Sequence, residues 1–581
     1  MVLLYLLIAF VTLAYVLYYY FTRTFNYWKS RGIIGPEPVP FFGNLKESAL
    51  RRKNVGVVFR EFYDEFPNEK VVGIYRMTTP GLLLRDLDVI KNVMIKDFDM
   101  FVDRGVEFSK EGLGANLFHA DGETWRVLRN RFTPLFTSGK LKNMLYLMTE
   151  RGESFLDYVG KVCDQQPDHE VHQLVQKYTM STISACAFGL DIDTIHDKID
   201  TLKKVDELVL TSNFAIELDM MYPGILKKLN SSLFPAFVKT FFYDLVKQVI
   251  SQRNGVAGNR KDFMDLILEM RQQGEIYGTK RNVDNKQLSL ELTEDVIAAQ
   301  AFVFYVAGYE TSATTMSFLL YELAKNPDVQ DKLHAEITEV LKRHEGKMTY
   351  ETLQDMTYLD NVFDETLRLY PLVEPLQRNA LIDYKVPGTD IVIEKGTTVL
   401  VSPYGIHHDA KFYPDPEKFD PERFTAENCR DRHSCAYMPF GVGPRNCIGM
   451  RFAKVQSRVC ISKLVSKFRV EVSKNTPDVV EMNPKRPIMG PNGASFCFWL
   501  YYYYFTRTFN YWIDKNVVGP KPVPFFGNLK ESTLRYKNTG IVMKEIYESF
   551  PNEKVVGIFR MTAPPIDPRL GFNKTSYDKG F

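Results

Sequence analysis

At 581 residues, with 73 basic and 71 acidic side chains for a net charge of +2, the chain carries no global field for nucleic acid, and no low-complexity stretch divides it into modules. Hydrophobic residues at 45%, with 42 Phe and 32 Tyr, are enough for one large core and an apolar pocket inside it. Seven cysteines at irregular spacing exclude a paired disulfide framework, and the lack of CxxC, clustered His/Cys, GxGxxG or GxxxxGK[ST] excludes a sequence-evident zinc or nucleotide site.

Met1–Phe21 is free of charge and long enough to cross ~30 Å of hydrocarbon as a helix. Arg23, Lys29 and Arg31 follow it, which holds that side in the cytoplasm, and Tyr18–Phe21 with Trp28 are expected at the membrane interface. No basic n-region precedes the apolar run and no small-x-small site ends it, so an uncleaved anchor is expected rather than a signal peptide. Residues 22–40, basic and then rich in proline (Pro36, Pro38, Pro40), cannot continue the helix and read as a linker.

Short strands are expected at Lys70–Arg76, Gly81–Arg85, Ile391–Ile393 and Thr397–Ser402, whereas residues 138–190, 200–255 and 290–345 carry apolar residues at three- and four-residue spacing. The chain therefore reads as mostly helix with small sheets. Residues 502–564 repeat residues 18–80 without a gap, identical at 45 of 63 positions. One distant copy is not a solenoid. Residues 495–581 are expected to be an aberrant tail, from a gene fusion or a gene-model artefact, with no domain of their own.

Three motifs occur in order. Ala307-Gly308-Tyr309-Glu310-Thr311-Ser312 lies within a long apolar stretch from Leu292 to Ala324. An acid followed by a hydroxyl can relay protons, although a mid-helix Thr also commonly bonds its own i−4 carbonyl. Glu365 and Arg368 stand three apart, on one helix face, and are followed by Phe419-Asp420-Pro421-Glu422-Arg423-Phe424. Last comes Phe440-Gly441-Val442-Gly443-Pro444-Arg445-Asn446-Cys447-Ile448-Gly449, ahead of a helix expected over Ile448–Phe468. A cysteine at a helix N-terminus, close to unpaired N–H groups, is favoured as thiolate. Cys163, Cys186 and Cys460 lie in apolar helical patterns and read as core.

The last segment matches FxxGxRxCxG at every fixed position and resembles the haem-binding loop of the cytochrome P450 superfamily. The resemblance covers roughly residues 1–494 and implies a mostly α fold of about a dozen helices with small sheets, preceded by one transmembrane helix, the catalytic domain running over residues 41–494. It implies haem b with Cys447 as the axial ligand to the iron. Trp125, Arg129, Gly308, Arg378, Phe440, Arg445 and Gly449 would contact the cofactor. Glu310 and Thr311 would deliver protons, and Glu365, Arg368 and Arg423 would form a buried triad holding the loop.

By layout and by the stretch MPFGVGPRNCIGMRFAKVQ, the chain looks like an insect microsomal, xenobiotic-metabolising member. Substrate contacts are then expected from Gly105–His119, Ala301–Thr311, Leu372–Leu376 and Ile488–Met489, among them Phe118, His119, Val373 and Ile488. The implied partners are NADPH–cytochrome P450 reductase and cytochrome b5, at the endoplasmic reticulum membrane with the catalytic domain on its cytoplasmic side. A non-catalytic haem binder or an inactive fusion product is the alternative.

Overall fold

The computed structural model describes residues 2–105, 112–165, 168–189, 195, 200–210, 225–229, 234–272, 276–277, 289–491, 497–499, 517–520, 528–529, 537–551 and a few positions up to 558. Its helices of ten residues or more are numbered here. The first, α1 (Val2–Thr22), has 21 residues and none of them is buried, and at 1.5 Å per residue it reaches about 31 Å. That length and composition suit a membrane anchor.

Trp28 does not belong to the interface as expected. Its ring lies buried against Gly73, its indole N–H donates to the Ile74 carbonyl at 3.0 Å, and its backbone N–H donates to the Tyr75 hydroxyl at 3.0 Å. A side chain at Gly73 would collide with that ring. The backbone N–H of Gly73 in turn donates to the Ile34 carbonyl at 2.8 Å. Much of the expected linker is therefore docked on the sheet, and the globular body begins before residue 41.

That sheet has four strands in the order Val71–Arg76, Thr79–Leu84, Thr398–Val401 and Leu376–Asn379, with the second and third parallel and the other pairs antiparallel. It forms a core of its own with α2 (Val55–Glu65). Register sets Arg378 opposite Val399 and Leu376 opposite Val401, which fixes where a charged and an apolar side chain leave this edge.

The larger core is helical. It gathers α3 (Gly122–Phe132), α4 (Ser138–Gln165), α5 (Val171–Ile183), α6 (Asp200–Leu210), α7 (Ala236–Gln252), α8 (Phe263–Gln272), α9 (Glu294–Lys325), α10 (Pro327–Arg343), α11 (Thr357–Leu369) and α12 (Met450–Lys467). Most of α9 is buried on every side, as expected of a helix that runs through a core rather than over it. The Thr293 side chain caps it by accepting from Val296 N–H at 3.3 Å, and Glu294 and Asp295 sit in the first turn, where the helix dipole favours anions.

Cys497–Trp499 pairs antiparallel with Glu471–Val472 and with Asp168–Glu170. The fold thus extends past the expected boundary at residue 494. Beyond it, α13 (Thr539–Ser549) copies α2 in local detail. Asn538 caps it through Gly540 N–H at 2.8 Å as Asn54 does through Gly56 N–H at 3.0 Å, and Lys537–Glu545 repeats Lys53–Glu61. Burial differs in part. Val542 is buried as its counterpart Val58 is, whereas Tyr547 is 48% exposed where its counterpart Tyr63 in α2 is 2% exposed. The rest of the repeat lies largely outside the described residues.

Candidate active site

The cysteine loop is shaped by its own backbone. Gly441 and Gly443 have φ of 71° and 75°, and at Gly443 an added Cβ would lie 2.0 Å from the Met94 carbonyl oxygen, so only glycine fits there. Cys447 N–H donates to the Phe440 carbonyl at 2.8 Å, closing the loop. The open surface of Cys447 faces the cavity that it lines. Burial pushes this thiol above its ordinary range, against the pull of the Gly449 N–H and of Arg129 and Arg104. Regular helix begins at Met450 with Gly449 as its N-cap, so Cys447 stands just ahead of the helix start and the Gly449 N–H reaches its sulfur.

Glu365 and Arg368 are fully buried and make a bidentate pair, Nε to Oε2 at 2.7 Å and Nη2 to Oε1 at 2.9 Å. Arg423 approaches Glu365 at 3.5 Å, and Asp420 N–H donates to the same carboxylate at 2.9 Å. The expected triad is thus brought together. Its link to the loop runs through His407, which sequence reasoning missed. Arg368 donates to the His407 carbonyl at 2.8 Å, and the His407 ring accepts from Met438 N–H at 3.0 Å, two residues before Phe440. Burial and then Arg368 push the imidazole down to about 3, so it is neutral and can accept that bond.

Four arginines converge on the same cavity wall: Arg104, Arg129, Arg378 and Arg445. Arg445 donates to the carbonyls of Val102 and Ala120, and Arg129 holds Asn446 at 2.7 and 2.8 Å. Burial, reinforced by the neighbouring Arg445, pushes Arg378 down to about 9. Burial also pushes Arg445 down to about 10, despite Asp121 at 3.6 Å. The Nε atoms of Arg378 and Arg445 are buried without a hydrogen-bond acceptor. Such a cluster is built to receive a multiply charged anion. Arg104 was not foreseen, because one arginine in a loop carries no pattern. Trp125 lines the same wall and stacks under the Arg445 guanidinium at 4.9 Å.

The cavity, about 360 Å³, lies between this wall and α9. Val303, Phe304, Ala307, Gly308 and Thr311 line it from α9, and Phe136, Phe263 and Phe452 from three other elements. Gly308 packs closely on α5, where an added Cβ would lie 2.7 Å from the end of the Ile183 side chain and displace it. The Thr311 hydroxyl reaches the cavity while donating to the Ala307 carbonyl at 2.6 Å, so the helix-internal bond also forms. Glu310 does not line the cavity. Its carboxylate is fully buried on the other side of α9, held by His172 and Gln176 at 3.1 Å each, by Thr314 at 3.3 Å and by Arg486. Burial raises its pKa, but His172 and Arg486 more than offset this and keep it below the ordinary carboxylate value.

Of the expected substrate contacts, Phe118, Val373, Leu372, Pro375 and Leu376 line the cavity, while His119 and Ile488 do not. The His119 ring is turned to Asn116 at 2.9 Å and toward Phe234, and Ile488 lies beside Met489, whose N–H donates to the Leu372 carbonyl at 2.8 Å. Residues 106–111 of the expected loop lie outside the described residues. Its remainder is pinned to α9 by buried Gln300, which accepts from Leu117 N–H at 2.9 Å and donates to the Ala115 carbonyl at 3.0 Å.

A thiol and an anion-seeking arginine wall on one mainly apolar cavity fit a metal macrocycle that carries two carboxylates. Among the described residues no group of three or more His, Cys, Asp or Glu could hold a bare ion, and a single sulfur suits a metal that brings its other ligands with it. Comparisons with known proteins agree. The family model described as "Cytochrome P450" matches residues 34–498. The chain is 63% identical over 478 residues to "Cytochrome P450 6B2" of Helicoverpa armigera, covering 82% of this chain and 94% of that relative. It is 59% identical over 491 residues to "Cytochrome P450 6B1" of Papilio polyxenes, 84% of this chain and 98% of the relative, and 39% identical over 507 residues to "Cytochrome P450 6a2" of Drosophila melanogaster, 85% and 98%. The chain belongs to the cytochrome P450 family, as a membrane-anchored monooxygenase that uses haem and electrons passed from NADPH through a reductase.

Proposed function

We propose that this monooxygenase oxidises lipophilic xenobiotics, plant toxins or insecticides, at the cytoplasmic face of the endoplasmic reticulum membrane, with NADPH–cytochrome P450 reductase as electron donor and cytochrome b5 as a second one. The observation that carries the reading is the cavity, whose lining away from the arginine wall is mainly aromatic and aliphatic, and such linings select apolar ligands. Cys447 would ligate the iron. Arg104, Arg129, Arg378 and Arg445, with Trp125, would hold the carboxylates of the macrocycle, while Phe440 and Gly449 would pack against its face. The group supplies the activation of dioxygen when bound; the protein supplies position, dryness and protons.

In this reading Thr311 holds a proton at the cavity wall, and Glu310 resupplies it by leaving its clamp on the far side of α9. Thr311→Ala should therefore uncouple the enzyme rather than silence it. NADPH oxidation should continue with added reductase while product per NADPH falls at least tenfold or so, a modest share of the ~10²–10⁴ that positioned proton transfer contributes. Unchanged coupling would sink the relay. Phe118, whose ring lies 4.1 Å below the Arg104 guanidinium, and Val373 would shape the substrate. Turnover of a panel of lipophilic compounds by the reconstituted enzyme tests the substrate class, and also tests the alternative of an inactive fusion product.

The tail after Trp499 is read as an appended copy without a role. Residues 18–80 already fill the seat for which the repeat is shaped, and in α13 Tyr547 is exposed where α2 buries Tyr63. Apolar segments left in water do not offset the entropy of ordering. A chain ending at Trp499 should match or exceed the 581-residue chain in haem loading and activity. Loss of haem in the shortened chain would make the repeat part of the working fold.

A further inference from the structure

Three elements meet at the Glu310 carboxylate. From α9 itself Thr314 donates at 3.3 Å, from α5 come His172 and Gln176 at 3.1 Å each, and from the turn after Asn483 comes Arg486. Two further carboxylates face this group. Glu170 caps α5, accepting from His172 N–H at 3.1 Å, and Asp206 on α6 accepts from Tyr309 and, at 3.5 Å, from Gln176. Three carboxylates thus share one permanent cation, Arg486, and one cation that titrates, His172. Glu310 and Thr311 are neighbours in sequence, yet successive helix positions diverge by about 100°, and the two side chains lie on different sides of α9.

We infer that His172 is a positioning residue for proton delivery, its charge setting how firmly Glu310 is held away from Thr311. This rests on the relay reading above and adds to it a control element. The imidazolium donates a charge-assisted bond to Glu310 and pairs with its charge, and loss of the proton removes the ion pair and leaves at most a neutral N–H on the carboxylate. Burial pulls the His172 pKa down, but Glu310 and then Glu170 outweigh it and lift the value above the ordinary one. His172 is therefore charged in acid, keeps its proton to a higher pH than an ordinary imidazole, and discharges as the pH rises beyond its raised pKa. In acid the clamp carries two cations and Glu310 is retained. At higher pH it carries one, and Glu310 is released more readily toward the cavity.

The test uses the full-length holoenzyme with added reductase, measuring product and peroxide per NADPH from about pH 6 to about pH 9, a span that covers the ordinary and a raised histidine pKa. The wild type should gain about fivefold in coupling as the pH rises, the low end of coupling between linked groups. His172→Gln, which keeps a donor and cannot titrate, should be flat at the upper level, and Glu310→Gln should be uncoupled throughout. A second readout needs no turnover. The carboxylate infrared band lost in Glu310→Gln should shift over the same pH window in the wild type and stay fixed in His172→Gln. A wild-type band that does not move, or a pH step that survives in His172→Gln, overturns the inference even if Glu310→Gln is uncoupled. Full coupling in Glu310→Gln overturns the relay itself.

Discussion

Replacing Cys447 with serine is expected to abolish the thiolate signature of the reduced carbon monoxide complex and to take monooxygenase turnover below detection. Among the described cysteines Cys447 alone lines the cavity, while Cys163, Cys186, Cys435 and Cys460 are buried in packing, and burial drives the thiols of Cys186 and Cys460 far up. No other described sulfur can substitute. A thiolate ligand favours O–O cleavage by donating electron density, and a neutral serine hydroxyl lacks that push. The fold should persist, because the loop is closed by Cys447 N–H to Phe440 and by backbone contact at Gly443, neither of which uses the sulfur. The combination sought is a melting temperature near that of the apo wild type, residual cofactor held by the arginine wall, and no thiolate band. A serine variant that keeps the band would refute the ligand assignment.

What the sequence made legible was local. The Phe440–Gly449 loop, the Glu365/Arg368 spacing and the long apolar run that became α9 depend on contacts within a few residues, and each folded close to its expected bounds. The repeat is an internal control on this point. Nearly the same sequence produced the same Asn cap and the same Lys–Glu pair in α2 and α13, because those are short-range, yet Tyr63 is buried in α2 and its copy Tyr547 is exposed in α13, because burial depends on which partner surface is free. Trp28 follows the same logic. Next to an anchor its ring reads as an interfacial aromatic, and only the backbone of Gly73, 45 residues on by the numbering, shows why it is inside.

The site residues that escaped the sequence are joined across long stretches of chain. Arg104 meets Arg445 across 341 positions, His407 meets Met438 across 31, and His172 and Arg486 reach Glu310 across 138 and 176. None of these belongs to a periodic pattern, so composition and spacing are silent about them. The signal available beforehand was only the oddity of an acidic side chain inside an apolar helix, which demands a buried partner without naming it. For His119 and Ile488, sequence placed the segment correctly but not the direction of the side chain, which Asn116 and the Met489–Leu372 pairing decide.

Arg368→Ala should be the most damaging substitution to stability, and should release the cofactor as well. Removing one partner of a buried ion pair leaves the other charge uncompensated, at a cost of about 3–5 kcal/mol, and burial already raises the pKa of Glu365 with Arg368 in place. Arg368 also donates to the carbonyls of His407 at 2.8 Å and Lys418 at 3.2 Å, so its loss slackens the His407 contact that positions Met438 and the loop behind it. Lysine is no remedy, since it has neither the fork for Glu365 nor the reach to both carbonyls. Replacing Glu365 and Arg368 together with methionine separates the two contributions. If charge compensation were all that mattered, the double variant would recover wild-type stability. It should recover only part, because the His407 and Lys418 carbonyls and the Asp420 N–H stay buried without partners, at roughly 1–3 kcal/mol each. Thermal unfolding of the holoenzyme, followed together with the ratio of haem to protein absorbance, measures both effects. An Arg368→Ala protein within about 1 kcal/mol of wild type, ordinary for a surface change, and fully loaded with haem would show that the triad does not hold the loop.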